Sequence, residues 1–192
     1  MNIGIIGISS LTLELALRSA ETGYRVKIYN PKGNNLIRDV TKKMGSNIQL
    51  TSLEQAANMQ IVILFIHKDD LERIIQSLPD MSGKIIIHTS ALIFGPKSLL
   101  SGITNALTYK TTASLVPEAH VVKLFNPINL NAKNDNTSYS NKDEIFFISN
   151  HRGSRNQVRN FLKKINFSPI DLSGNLLRST TFNLKSIKNN LN

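Results

Sequence analysis

Short apolar segments alternate with amphipathic ones through the first half of the chain. The apolar segments are rich in isoleucine and valine, which is typical of strands buried on both faces of a parallel sheet. They cover residues 1–7, 25–29, 48–50, 60–66 and 84–88. The alternation of polar and apolar residues over 25–29 predicts that this strand lies nearer an edge of the sheet than the others.

Segments with helical spacing separate the predicted strands. They cover residues 10–22, 35–44, 52–58 and 69–78. Gly23 and Gly45 are suited to end the first two helices, and we expect Ser52 and Asp69 to cap the third and fourth. This β-α alternation with short connections predicts a doubly wound α/β fold, with a mostly parallel sheet, helices on both faces and right-handed crossovers.

The second half of the chain is less regular. We predict strands over residues 121–125, 144–149 and 169–172 and a basic amphipathic helix over 154–165. The asparagine-rich residues 126–142 are expected to form a loop, and residues 89–112 have no clear pattern. Residues 1–178 are thus predicted to form one domain, followed by a short basic C-terminal tail over residues 179–192.

Composition excludes several classes of protein. Hydrophobic residues make up 41% of the 192 residues, which favours a globular core over disorder. The absence of cysteine excludes disulfide scaffolds, cysteine-ligated zinc and thiol nucleophiles. No apolar run approaches the roughly 20 residues that span a bilayer. The N-terminus also lacks the charged segment of a secretory signal. We therefore expect a soluble, cytoplasmic protein that does not bind membranes.

The net charge of +10 raises the question of an anionic partner. Nucleic acid is disfavoured, because no run exceeds two adjacent basic residues and no aromatic residues are interleaved with a basic patch. Arg152, Arg155 and Arg159 are predicted to share one helix face, which is either solvated or fits an acidic partner. A phosphate-bearing cofactor is a further explanation of the charge.

The turn after the first predicted strand is the first candidate site, because ligands of open α/β sheets bind outside the carboxyl ends of the strands. The six positions of a G-x-G-x-x-G dinucleotide fingerprint fall on Gly7, Ile8, Ser9, Ser10, Leu11 and Thr12. Only Gly7 matches a fingerprint glycine, and Ser9 and Thr12 replace the other two. Both replacements are small. We expect Ser9 and Ser10 to donate hydrogen bonds to a phosphate at the helix N-terminus.

The end of the second predicted strand bears on the choice of nucleotide. Proteins that bind NAD usually carry an acidic residue there, which bonds the ribose 2′-hydroxyl. This chain has Asn30 and Lys32 instead. Asn30 can bond the ribose or a 2′-phosphate, and Lys32 can pair with that phosphate, so the sequence favours NADP over NAD. The alternative is a plain β-turn with a surface lysine.

The order of these segments resembles that of the deazaflavin (coenzyme F-420)-dependent NADP reductases, over most of the chain up to about residue 178. The segments are MNIGIIG, VKIYN, IVILFI, KIIIH, PEAHVVKLFNPIN and SPIDLSGNLL. The most specific are HVVKLFN at residues 120–126 and DLSG at residues 171–174. The cytosolic domains of the six-transmembrane metalloreductases look similar too. The chain departs from the family in keeping only one of the three glycines.

The resemblance implies a Rossmann domain that transfers hydride between NADP(H) and a flavin-like or deazaflavin acceptor. In the family the nicotinamide lies over strand ends that correspond here to Phe65, Ile66, His67 and Ser90, and Asn126 borders the acceptor pocket. Such a reaction needs positioning rather than a side-chain acid or base. No catalytic residue is therefore assigned.

Two other functions fit the same residues. One is a non-catalytic dinucleotide-sensing or protein-interaction domain that kept the Rossmann fold and lost the glycines. The other is an imino-acid reductase of the pyrroline-5-carboxylate type, although that class normally has a helical second domain. A homodimer would fit the apolar residues Leu176, Leu177 and Phe182 near the C-terminus.

The four histidines are scattered along the sequence, so we predict no metal site. His67 and His88 follow buried strands, where either could touch a cofactor. A hydrogen-bonded structural role is favoured for both. His120 and His151 are expected on the surface.

Overall fold

Eight strands form one sheet in this computed structural model, which describes residues 1–89, 109–125, 143–149 and 151–174. The strands are β1 (Asn2–Ile6), β2 (Arg25–Tyr29), β3 (Ile48–Leu50), β4 (Ile61–Phe65), β5 (Ile85–Thr89), β6 (His120–Leu124), β7 (Asp143–Ser149) and β8 (Phe167–Asp171). Their order is β3-β2-β1-β4-β5-β6-β7-β8. Only the β6–β7 pair among them is antiparallel. The prediction of a mostly parallel, doubly wound Rossmann sheet is confirmed, and β2 lies next to the edge strand β3 as its alternation indicated.

Helices connect the strands. They are α1 (Ser10–Glu21), α2 (Arg38–Lys43), α3 (Leu53–Ala57), α4 (Lys68–Gln76), α5 (helical over residues 109–115) and α6 (Arg152–Lys164). The helix predicted over residues 35–44 is divided, because a 3₁₀ turn at Asn34–Ile37 precedes α2. The predicted cap of α3 is confirmed, since the Ser52 side chain accepts a hydrogen bond from the backbone of Gln55.

The predicted cap of α4 is wrong. His67 occupies the cap position, and Asp69 lies in the first turn of the helix with Asp70. Both acidic residues are placed where carboxylates stabilise the positive end of the helix dipole. Asp69 therefore stabilises α4 through its charge rather than through a capping hydrogen bond.

Alternating residues of the buried strands face two apolar layers. In β5, Ile85 and Ile87 pack in the layer that includes α1 and α6, whereas Ile86 packs in the layer that includes α3, α4 and α5. Gly4 in β1 allows α3 to lie directly on the sheet, because a Cβ there would be 1.9 Å from the backbone oxygen of Ala56.

Several predictions concern residues outside those the structure describes. They are the loop over residues 126–142, the domain boundary at residue 178, the tail over 179–192, and the apolar residues Leu176, Leu177 and Phe182. In the part of the chain that is described, no helix has both the length and the apolar character required to cross a membrane.

Candidate functional site

Three loops meet at Gly7, immediately after β1. The backbone N–H of Gly7 donates to the carbonyl of Tyr29 at the end of β2, over 2.9 Å. A Cβ on Gly7 would lie 1.7 Å from the carbonyl oxygen of Phe65 at the end of β4, and its φ of +90° is a conformation that favours glycine. Because β1 lies between β2 and β4, Gly7 marks the point where the strand order reverses, which is where doubly wound folds bind ligands.

A reciprocal capping box begins α1 at this point. The backbone N–H of Thr12 donates to Ser9 Oγ over 3.1 Å, and the backbone N–H of Ser9 donates to Thr12 Oγ1 over 2.8 Å. Thr12 is fully buried, and its hydroxyl donates to the Gly7 carbonyl at 3.3 Å. The two residues that replace fingerprint glycines therefore bond each other and the turn.

Two backbone N–H groups remain at the N-terminus of α1. Within the described residues, neither the N–H of Ser10 nor that of Leu11 has a hydrogen-bond partner, and the exposed Ser10 hydroxyl has none either. Free N–H groups and the positive end of the helix dipole together favour an anion. The side chains of Ile8 and Leu11 pack in the core, so these residues can contribute to such a site only through their backbone.

Asn30 shapes the turn after β2. Its Oδ1 accepts from the backbone N–H of Lys32 at 3.2 Å, and its Nδ2 donates to the carbonyl of Gly33 at 2.9 Å. The side chain is 6% exposed, and one Oδ1 lone pair is left for a further donor. Lys32 is exposed beside it. The side chain of Asn30 therefore stabilises the turn, and Lys32 is the residue of the turn that presents a positive charge to solvent.

The loop after β4 leads into the acidic first turn of α4. Phe65 and Ile66 are half-buried, and the exposed His67 has Nδ1 3.1 Å from a carboxylate oxygen of Asp69. The hydrogen bond from Arg73 lowers the pKa of Asp70, and the charges of His67 and Lys32 act in the same direction. The charges of Lys32 and His67 therefore act on the same carboxylate, that of Asp70.

The structure places most of the predicted site residues at or just after the carboxyl ends of β1, β2 and β4. They are Gly7, Ile8, Ser9, Ser10, Leu11, Thr12, Asn30, Lys32, Phe65, Ile66 and His67. Ser90 and Asn126 lie outside the described residues.

Sequence analysis missed a buried polar cluster at the same end of the sheet. His88 on β5 and Lys123 on β6 are register partners, and both are essentially inaccessible. His88 Nδ1 is 2.7 Å from Thr112 Oγ1 on α5, which confirms the predicted hydrogen-bonded histidine. Desolvation lowers the pKa of His88 to about 3, with the charge of Lys123 acting in the same direction, and lowers the pKa of Lys123 to about 8. A lysine within an otherwise apolar strand was the available signal.

The other two histidines form a pair that the sequence did not indicate. The rings of His120 and His151 stack with centroids 3.7 Å apart. His151 is exposed as predicted and caps α6, whereas His120 is half-buried. Burial lowers the pKa of His120, and the neighbouring His151 adds to the effect. Over the described ranges, no three His, Asp or Glu side chains are grouped so as to hold a metal ion.

Comparison with known families bears on the function of the loops around Gly7. Residues 2–92, slightly less than half of the chain, match the model of the family described as NADP oxidoreductase, coenzyme F420-dependent. The resemblance to the deazaflavin-dependent NADP reductases is confirmed. The matched part contains β1 to β5 and every described loop around Gly7. This half of the chain thus matches a family of NADP-dependent reductases.

Solved structures show the same fold. A hypothetical protein from Sinorhizobium meliloti is 26% identical, with a TM-score of 0.70 over 90% of this chain and 85% of that one. A protein from Arthrobacter sp. FB24, provisionally named an F420-dependent NADP reductase, is 16% identical, with a TM-score of 0.65 over 90% and 84% of the two chains. A pyrroline-5-carboxylate reductase from Coxiella burnetii is 14% identical, with a TM-score of 0.59, and this chain covers 58% of it.

Proposed function

We propose that this chain is an NADP(H)-dependent oxidoreductase that transfers hydride between NADP(H) and a flavin-like or deazaflavin acceptor. The observation that carries the proposal is the tight turn at Gly7, which lies at the reversal of the strand order and leads into the N-terminus of α1 within the residues that match the reductase family. Crevices at this point of a doubly wound sheet bind dinucleotides across the reversal of the strand order.

The residues around Gly7 fit a dinucleotide diphosphate. A Cβ on Gly7 would collide with the carbonyl oxygen of Phe65, so only glycine allows the turn after β1 to pass this close to the end of β4. The backbone N–H groups of Ser10 and Leu11 and the Ser10 hydroxyl are available to the phosphate oxygens, and the capping box need not open. The diphosphate is thus held by fewer N–H groups than a glycine-rich turn would offer.

We assign the two halves of the nucleotide to the loops after β2 and β4. The adenosine half lies over β2, where Lys32 is the cation available to a 2′-phosphate and no acidic side chain in the turn repels it. The nicotinamide half lies over the ends of β4 and β5. There the half-buried Phe65 and Ile66 provide an apolar surface that orients the ring and excludes water.

When bound, NADP(H) supplies the hydride chemistry itself. The contribution of the chain is to hold the nucleotide at α1 and Lys32 and to present one face of the nicotinamide to the acceptor. A flavin-like acceptor fits this requirement, because it takes up hydride without a covalent bond to the protein.

The capping box favours a second candidate, a non-catalytic dinucleotide-sensing or protein-interaction domain. Ser9 and Thr12 satisfy two N–H groups that a glycine-rich turn would leave to a phosphate, and α1 is therefore stable without an anion. A domain that no longer bound nucleotide would show the same arrangement.

Thermal unfolding with added NADPH or NADH distinguishes these candidates. We expect NADPH to raise the melting temperature of the wild type as a ligand of the folded state does. Ser10→Asp places a carboxylate at the diphosphate position and is expected to abolish the shift, while the uncharged control Ser10→Asn retains it. No shift with either nucleotide contradicts the proposal. A shift without NADPH-dependent reduction of flavin or deazaflavin supports the sensing domain.

A further inference from the structure

Lys123 and His88 form a buried basic pair at the nucleotide end of the sheet. They are register partners in the parallel β5–β6 ladder, and each is one residue from the last residue of its strand. Lys123 is 0% exposed and His88 1% exposed. Neither side chain has a role in the nucleotide site proposed above.

The surroundings of Lys123 leave its ammonium group unsatisfied. Among the residues that the structure describes, Lys123 Nζ has no hydrogen-bond partner. The register partner of Lys123 on β7 is Ile148, which packs in the layer that includes α3, α4 and α5. On the α5 side, Thr112 bonds His88, and Tyr109 is buried in the same layer. The residues that α4 buries there are apolar. His88 is the titratable group beside it on β5, and its pKa of about 3 keeps it neutral in the physiological range.

Burial destabilises the charged form of an ammonium group, because it removes water and, within the described part of the chain, no carboxylate takes its place. The pKa of Lys123 is lowered to about 8, so a modest change of nearby charge alters its protonation near neutral pH. Lysine shifts its pKa readily when it is buried, and such lysines act in proton transfer.

We propose that Lys123 is the proton-holding group of the nucleotide site and loses its proton when the nicotinamide ring over β4 and β5 becomes cationic. This inference rests on the proposed function. β5, over whose end the ring is proposed to lie, is the neighbour of β6 in the sheet. A unit positive charge about 10 Å from an amine lowers its pKa by roughly one unit, for an effective dielectric constant of about 20.

The proton and electron balance follows from the reaction. Bound NADPH would supply the hydride, which is two electrons and one proton, and its ring would then carry a positive charge. The reduced acceptor takes its second proton from solvent, while the Lys123 ammonium releases one proton to solvent and a neutral amine remains. Lys123 regains a proton from solvent once NADP⁺ leaves. Lys123 thus acts through the charge of the ring.

Calorimetric titration in buffers of different ionisation enthalpy measures the protons exchanged on binding. At pH 8, near the pKa of Lys123, NADP⁺ is expected to release more protons than NADPH from the wild type. Lys123→Met and Lys123→Arg are expected to lose this difference, because one side chain has no charge and the other does not titrate. Lys110→Met, which removes an exposed charge on α5, should retain it.

An unchanged difference in both Lys123 variants would overturn the inference and leave the proposed function intact. Absence of binding by either nucleotide would overturn the proposed function and the inference with it. Nζ NMR titration of the wild type is independent of the variants' folding. It should show one lysine that titrates near pH 8 and whose midpoint is lower with NADP⁺ than with NADPH. A lysine that does not respond to nucleotide contradicts the proposal.

Discussion

Ser9 and Thr12 accept hydrogen bonds from each other's backbone N–H groups, over 3.1 and 2.8 Å. This exchange occupies the place of two fingerprint glycines at the end of β1. It stabilises α1 from within and, at the first two positions of the helix, leaves the N–H groups of Ser10 and Leu11 for an anion. The affinity for a dinucleotide is therefore limited by a helix cap.

Ser9→Gly tests that limit. The substitution releases the N–H of Thr12 and is expected to tighten NADPH binding by several-fold, while glycine at a cap costs only a few tenths of a kcal/mol. Ser52→Gly is the matched control, because Ser52 caps α3 through the same type of bond far from the crevice. Calorimetry should show tighter binding for the first variant only. Equal affinities would show that the capping box does not compete with the diphosphate.

Lys32→Gln is expected to weaken NADPH binding by about tenfold, the value of roughly one charged hydrogen bond. NADH binding should be unchanged, because NADH has no 2′-phosphate. Lys42→Gln removes an exposed charge on α2 and controls for net charge. If the two nucleotides are affected equally by Lys32→Gln, the lysine does not read the 2′-phosphate.

Gly4→Ala is expected to destabilise the fold by about 3 kcal/mol or more. Its Cβ would lie 1.9 Å from the Ala56 carbonyl oxygen, which is backbone and cannot rotate away. Gly174→Ala has open space around the new Cβ and should be nearly neutral. Denaturant unfolding measures both. A small effect at Gly4 would mean that α3 can move away from the sheet.

The stability of the protein should depend on pH through Lys123. Its folded pKa of about 8 lies below the ordinary value of 10.5, so the unfolded chain binds more protons between these limits. Stability therefore rises with pH across this window, by about 3 kcal/mol from this group. The free energy of unfolding, measured at several pH values, should show this rise in the wild type and not in Lys123→Met. Parallel curves would contradict a weakly basic Lys123.

The strands and most helices could be predicted from the sequence because their signals are local. Residues 25–29 and 48–50 have the predicted bounds, and Ser52 caps its helix as expected. The cap of α4 was mistaken because Asp69 suits both a cap and a first turn, and the sequence does not specify which residue leaves helical geometry.

The parts of the site that lie between consecutive elements could be predicted from the sequence, whereas the parts that depend on strand pairing could not. Gly7 is placed by the first strand and helix, whereas the His88–Lys123 pair depends on the pairing of β5 with β6, residues distant in the chain. The stacking of His120 on His151 depends likewise on the antiparallel β6–β7 pair. Long-range register of this kind has no local sequence signal.

The central claim is that a dinucleotide diphosphate binds at the N-terminus of α1. Amide NMR spectra recorded during titration with NADPH test it most directly. The account predicts that the amide signals of Ser10 and Leu11 shift most strongly, together with those of the Lys32 turn. Unshifted Ser10 and Leu11 amides at saturating NADPH would contradict it.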